Sequence, residues 1–427
     1  MKQTVPIIAF SSVLALVACQ PAPGETEIAG EIQGTTFHLK MVLDGHSVNA
    51  EQMRQKIENT FAVIDEKLSN YRDDSEISRI NRNRTTDWLA VSPEIVELVH
   101  IAKQVWQRSD GCYDLTVKPL FDLWGFSKHE NRVPTDAEID HVLKHVGMSR
   151  VDTDLENNRL RKRDPDLQID LSSIAQGYTV AAIASLLENQ GIQNYLVEIG
   201  GELRVKGTKA NGSSWRVAIE KPTPFEREVQ RVLELHQQNG TAVMTAGTYR
   251  NFFEENGKVY SHILNPETGR PVTHHLLSVT ILHEDPTWAD AWDTALLCVG
   301  ESEAMKIAEQ EHLKALLIYQ DGKELKEFMS SEFLHAQEAN KPGAGNSKDS
   351  SPREPQRNQP ARAARHETEG ELRRTGLFLQ PVWTAACQRV NDPSLKPSQT
   401  EFKERALRPA PKKVAKTANQ AGWCQYG

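Results

Sequence analysis

The rhythm of apolar residues changes once along this chain, near residue 190, and that change limits it to one class of fold. Before it, Met53, Ile57, Phe61, Ile64 and Leu68 follow one another at steps of 4, 4, 3 and 4, the signature of an amphipathic helix. Pro93 opens a second helix through Ile95, Leu98, Val99, Ala102, Val105 and Trp106 that stops at Gly111, and residues 136–146 predict a third. Residues 174–190 read as helix up to Gly191. After it come short β-rich runs at 195–199, 203–206, 215–219, 231–235 and 278–283, parted by Gly-Gly, Asn-Gly and Pro-containing turns. Helix returns at 290–299 and 303–313, and 315–319 (ALLIY) reads as a last buried strand. A first strand is expected within 31–43. Hairpin-length links between strands, set among blocks of helix, predict an α+β fold with a largely antiparallel sheet.

The two ends differ from this middle. Residues 336–427 hold 16 Lys and Arg against 9 Asp and Glu, while the remaining 335 residues hold 34 against 49. Nine of the 21 prolines fall in that last stretch, which shows no periodicity and is expected to be a disordered basic tail. The acidic part is a poor nucleic-acid binder, and an anionic ligand there calls for a metal cation. At the other end, Met1-Lys2 and the apolar residues 5–17 form a signal peptide ending Leu16-Val17-Ala18-Cys19. That ending resembles a bacterial lipobox, so Cys19 is expected to be lipidated and to hang the mature protein from a membrane on its outer, periplasmic side. A plain secretory signal is the alternative. The expected divisions are 1–18 signal, 19–30 polar tether, 31–335 catalytic domain and 336–427 tail. Five cysteines are too few and too scattered for a disulfide framework or a zinc site.

Four motifs could carry chemistry. Asp290-Ala-Trp-Asp293-Thr294 puts two carboxylates and a hydroxyl on one helical face, hard oxygen donors that suit Mg²⁺ or Ca²⁺. Helix-start capping is the alternative there. Asp170-Leu-Ser-Ser173, followed by Ile-Ala-Gln176-Gly177, runs from a strand end into a helix, leaving backbone N–H groups for a phosphate or simply a capped start. The stretch from Gly111-Cys112-Tyr113-Asp114 to Phe126 is dense in aromatics and could clamp a planar heterocycle or form a small core under a loop. Finally, Thr245-Ala-Gly247 and Tyr260-Ser-His262-Ile-Leu264-Asn265-Pro266 place a histidine at a strand end, suited to acid–base work or to a structural hydrogen bond. No G-x-S-x-G elbow, P-loop, H-E-x-x-H or G-x-G-x-x-G is present, which removes serine hydrolases, P-loop NTPases, zincins and Rossmann enzymes.

Taken in order, these motifs resemble the ApbE family of FAD:protein FMN transferases over roughly residues 30–330. The match also takes in Gly34-Thr35-Thr36, Tyr71-Arg72-Asp73-Asp74-Ser75-Glu76-Ile77-Ser78 and the stretch from Ala289 to Leu296. The resemblance implies a single α+β domain related to the T-fold, which binds FAD with Mg²⁺, transfers FMN to a Thr or Ser hydroxyl and releases AMP. The implied acceptors are flavoprotein subunits of Na⁺-translocating NADH:quinone reductase or Rnf-type complexes. Carried over by position, Asp290, Asp293, Thr294 and the Ser173 carbonyl hold the metal. Gln33, Tyr71, Cys112, Tyr113, Asp114, Asp170, Gln176 and Leu264 contact FAD, and His262 is the candidate base. The sequence departs from the family at Gln33 (usually Met), Cys112-Tyr113, Gln176 and Ala246. An FAD pyrophosphatase and a non-catalytic flavin-binding lipoprotein are the competing readings.

Overall fold

The computed structural model of the chain describes residues 24–43, 49–128, 130–224, 228–235 and 237–339. Cys19 and the basic tail after residue 339 lie outside the described residues. Eight strands form the central sheet: β1 (Glu25–Ile32), β2 (Thr35–Val42), β3 (Tyr195–Ile199), β4 (Glu202–Gly207), β5 (Gln237–Gly247), β6 (Leu276–His283), β7 (Lys314–Asp321) and β8 (Glu324–Met329). Their order in space is their order in the chain, and every neighbouring pair is antiparallel. The sheet is one meander, with helices and hairpins inserted between its strands.

Both faces of the sheet are covered, as strand alternation allows. In β7, Ala315 and Leu317 join the main core while Leu316 and Ile318 join a second one on the opposite face. Helices α1 (Ala50–Leu68), α2 (Pro93–Arg108), α3 (Ser172–Asn189) and α4 (Pro286–Val299) cover the main core, with the shorter helices Glu76–Arg82 and Glu301–Gln310 adding to it. Helix α1 buries Met53, Ile57, Phe61, Ile64 and Leu68, the residues its periodicity selects. The hairpin of Trp215–Glu220 with Val229–Leu235, and Phe333 of the helix Ser331–Ala339, cover the second face. Among the described residues, no helix is long and apolar enough to cross a membrane.

The structure corrects several boundaries. Residues 25–29, expected as tether, are strand β1, paired with β2 through a turn at Gln33 and Gly34, whose φ values are 52° and 75°. Two residues with positive φ are what a tight two-residue hairpin requires. Strand β7 is not the last, since β8 follows it. Strand β5 escaped the sequence reading because its Gln, Asn and Gly residues mimic a turn. Helix α4 begins at Pro286, with Asp285 as its cap, so Asp290 is no helix start.

Candidate functional site

Helices α3 and α4 cross where α3 carries Gly177. A Cβ at that position would sit 2.6 Å from Asp290 Cβ and closer still to the Pro286 carbonyl oxygen. Only glycine permits this approach. It lets the Gly177 N–H donate to Asp290 Oδ2 at 2.6 Å. Gly177→Ala should therefore push the helices apart and turn Asp290 away. We expect a loss of about 1–3 kcal/mol in stability, as overpacked sites show. An unchanged urea midpoint would contradict the tight crossing.

Beside that crossing lies a cleft of about 820 Å³. The aromatic loop divides its labour around it. Leu120, Trp124 and Phe126 form a small core with Ile139, Val146 and Leu264. Leu115, Val117 and Phe121 line the cleft with Ile263 and Leu264, an apolar wall for a flat ring. The same cleft has acidic lining, with Glu202, Asp290 and Asp293 all buried.

Cys112, Tyr113, Asp114, Asp170, Ser173, His262, Leu264, Asp290, Asp293 and Thr294 all line the cleft. Tyr113 Oη donates to the Ser173 carbonyl at 3.0 Å, tying the aromatic loop to the first turn of α3. Asp114 is occupied locally. It accepts from the Thr116 N–H at 2.7 Å and the Met148 N–H at 2.9 Å, which makes its carboxylate a loop clamp. Asp170 lies one residue before Leu171, the N-cap of α3, and accepts from the Ser172 N–H at 2.8 Å.

Gln33, Tyr71 and Gln176 are not brought to the cleft wall. Gln33 lies in the β1–β2 turn, donating to Asp65 Oδ1 at 2.8 Å. The Tyr71 N–H donates to Ser69 Oγ at 3.3 Å in the segment after α1. Gln176 donates to the Ile199 carbonyl at 2.8 Å, pinning α3 to the end of β3.

The sequence reading missed Glu202 and Cys298. A disulfide joins Cys112 to Cys298 across 186 residues, with Cα atoms 5.9 Å apart. A framework of disulfides is not needed for one useful cross-link. Here it fastens the aromatic loop to the end of α4.

Burial and mutual repulsion dominate the electrostatics. Desolvation raises the Asp290 carboxyl to about 7. It also lifts Asp293, with further upward pressure from Glu202 and Asp290. Glu202 is raised by burial and by Asp290. Among the described residues, no Lys or Arg lines the cleft. Asp293 Oδ2 is buried without a hydrogen-bond partner among the described residues. Converging carboxylates with an orphaned oxygen and the Thr294 hydroxyl make an oxygen-donor set that fits a hard divalent cation.

A second cluster, His145 with Asp164 and Asp166, has ligand-type atoms within 4.8 Å of one another. It is already neutralised, since Arg150 pairs with Asp164 and Arg84 with Asp166. None of its three residues lines the cleft.

His262 sits at the apolar end of the cleft, its ring edge-on to Phe121 with centroids 6.5 Å apart. Its Nδ1 lies 3.0 Å from the Asn251 carbonyl oxygen, so Nδ1 carries the proton and the lone pair is on Nε2. Burial lowers its pKa to about 4, and the imidazole is neutral at ordinary pH.

Comparison with known proteins adds the following. Residues 33–317 match the ApbE family. The chain is 36% identical over 329 residues to the FAD:protein FMN transferase of Vibrio cholerae, covering 77% of this chain and 97% of that one. It is 38% identical over 319 residues to the Haemophilus influenzae protein of the same description, covering 73% and 91%. Among solved structures, the flavin transferase ApbE from Vibrio cholerae superposes with a TM-score of 0.68 at 36% identity, covering 73% of this chain and 99% of that one. The apo flavinyl transferase ApbE of Pseudomonas stutzeri gives 0.68 at 34% identity, covering 74% and 97%.

Proposed function

The chain belongs to the ApbE family of flavin transferases, and from that premise we propose that it transfers FMN from FAD to a Thr or Ser hydroxyl of a flavoprotein, with Mg²⁺, releasing AMP. The observation that carries the metal requirement is the charge of the cleft. A pyrophosphate cannot enter beside three buried carboxylates, with no Lys or Arg among the described residues of the wall, unless a cation enters with it.

Asp290, Asp293, Thr294 and the Ser173 carbonyl are the residues that would hold Mg²⁺. When bound, it would supply charge neutralisation for the pyrophosphate and the departing AMP. The apolar wall of Val117, Phe121 and Leu264 would hold the flavin or adenine ring, so that positioning supplies much of the rate. The acceptor oxygen attacks the flavin-side phosphorus and forms a new P–O bond. The bond from that phosphorus to the bridging oxygen breaks, and AMP leaves with the electron pair. The acceptor proton passes to His262 Nε2, for which the Asn251 hydrogen bond already sets the right tautomer. Arrival of the pyrophosphate charge favours the imidazolium and brings its low pKa towards the working range.

His262→Ala should slow transfer by ~10²–10⁴-fold at saturating FAD. Because His262 is neutral above about pH 4 in the free protein, kcat/KM should hold on acidification down to that range on His262's account, whereas kcat at saturating FAD should fall at a higher pH, where the bound pyrophosphate favours the imidazolium. Transfer kinetics unchanged in the variant would remove the base role.

The decisive experiment uses protein starting at Gln20, FAD, Mg²⁺ and an acceptor domain, read by intact mass. Gain of one FMN, abolished by EDTA, supports the transferase with its metal. Free FMN and AMP without an adduct would favour hydrolysis. Retained FAD without turnover would favour a binding protein.

Acceptor subunits of Na⁺-translocating NADH:quinone reductase or Rnf-type complexes, and a periplasmic site reached through lipidated Cys19, complete the proposal. The Cys112–Cys298 disulfide supports an oxidising compartment.

A further inference from the structure

Glu202 has no assigned task, yet it opens β4 immediately after Gly200-Gly201 and faces the same cleft as Asp290 and Asp293. It is 6% exposed. Both its oxygens lean on a single donor, the Thr245 N–H of β5, at 3.0 and 3.4 Å. One backbone N–H does not offset a buried carboxylate that also faces two others. A merely structural acid would be better replaced by an amide. The position therefore calls for a further donor that arrives from outside the chain.

That donor is not a direct coordination bond. Glu202, Asp290 and Asp293 do not bring one oxygen each to within 4.8 Å of one another, as a set sharing one ion would. Asp293, by contrast, lines the cleft and has a buried Oδ2 with no hydrogen-bond partner among the described residues. Mg²⁺ dehydrates reluctantly and keeps several waters when carboxylates bind it. Those waters are donors, and carboxylates just beyond the ligands orient them.

We propose that Glu202 is a positioning residue of the cation site, accepting hydrogen bonds from waters of the divalent ion held by Asp290, Asp293 and Thr294. This rests on the metal reading above. By fixing those waters it fixes the ion's orientation towards the pyrophosphate, without touching the reacting atoms. It also places negative charge where the ion's charge must be balanced once Asp290 and Asp293 are ligated.

The test uses Mn²⁺ as a probe, followed by electron paramagnetic resonance, on folded protein starting at Gln20. Wild type should bind Mn²⁺ and Asp290→Asn should lose it. If wild type binds none, the metal reading fails and this inference fails with it. If that pair behaves as expected, Glu202→Gln should weaken Mn²⁺ binding by ~10–100-fold, and Glu202→Asp should recover part of the loss.

Melting temperature supplies a second readout with opposite signs. In EDTA, Glu202→Gln should melt higher than wild type, because repulsion with Asp290 and Asp293 is removed. With Mg²⁺, its gain in melting temperature should be smaller than wild type's. Unchanged Mn²⁺ affinity, or a lower melting temperature in EDTA for both Glu202 variants, would overturn the role. A loss as complete as that of Asp290→Asn would make Glu202 a direct ligand and overturn it too.

Discussion

Asp293→Asn is expected to lower FMN transfer by roughly three orders of magnitude, while the metal-free protein becomes more stable. The first effect follows from the proposed metal reading, in which Asp293 is a ligand, since a bound cation is worth several kcal/mol at a phosphoryl centre. The second follows from the cleft's electrostatics. Burial, Glu202 and Asp290 all raise the Asp293 carboxyl. A carboxylate whose folded pKa lies above its unfolded value destabilises the fold at every pH above that unfolded value. Asparagine removes the charge and keeps the shape. Activity and EDTA melting should thus move in opposite directions between pH 6 and 8, measured by intact-mass transfer kinetics and calorimetry. A variant that loses both would mean that Asp293 is a packing residue.

Removing the cross-link between Cys112 and Cys298 should give the largest stability change available to a conservative substitution. The link spans 186 residues, so its restriction of the unfolded chain is near the upper end of what one disulfide supplies. Cys112→Ser with Cys298→Ser should cost about 2–5 kcal/mol. In a domain of this size that lowers the melting temperature by on the order of 10 °C. Because the bond holds the residue next to Tyr113 against α4, the KM for FAD should rise more than kcat falls. Equal melting of oxidised and reduced wild type would show that the link adds nothing.

Legibility in the sequence followed the range of the interactions involved. The metal-type residues were readable because they lie within five positions on one helix, where spacing alone places Asp290, Asp293 and Thr294 together. Helix α1 was readable for the same reason. Glu202 was not, because its proximity to Asp293 depends on β4 and α4 meeting across the fold. The signal was an acid following two glycines at the head of a strand whose next residues alternate inward. Cys112 and Cys298 are linked by tertiary contact alone, which no local pattern records. The aromatic loop was ambiguous between a ring clamp and a small core, and it serves both, with Phe121 on the cleft and Trp124 beneath it. Gln33 and Gln176, placed by resemblance, are engaged with Asp65 and Ile199.

Strand β1 begins at Glu25, where a longer polar leader was expected. If Cys19 carries the lipid, as proposed above, only six peptide steps would separate the anchor from the sheet, a leash of at most about 20 Å. An enzyme on so short a leash searches a surface rather than a volume. Its encounters are then set by lateral diffusion and by how many acceptors share its bilayer. Acceptors whose flavin-bearing residue stands within one domain's height of the membrane would be modified, and identical sites held farther out would be passed over.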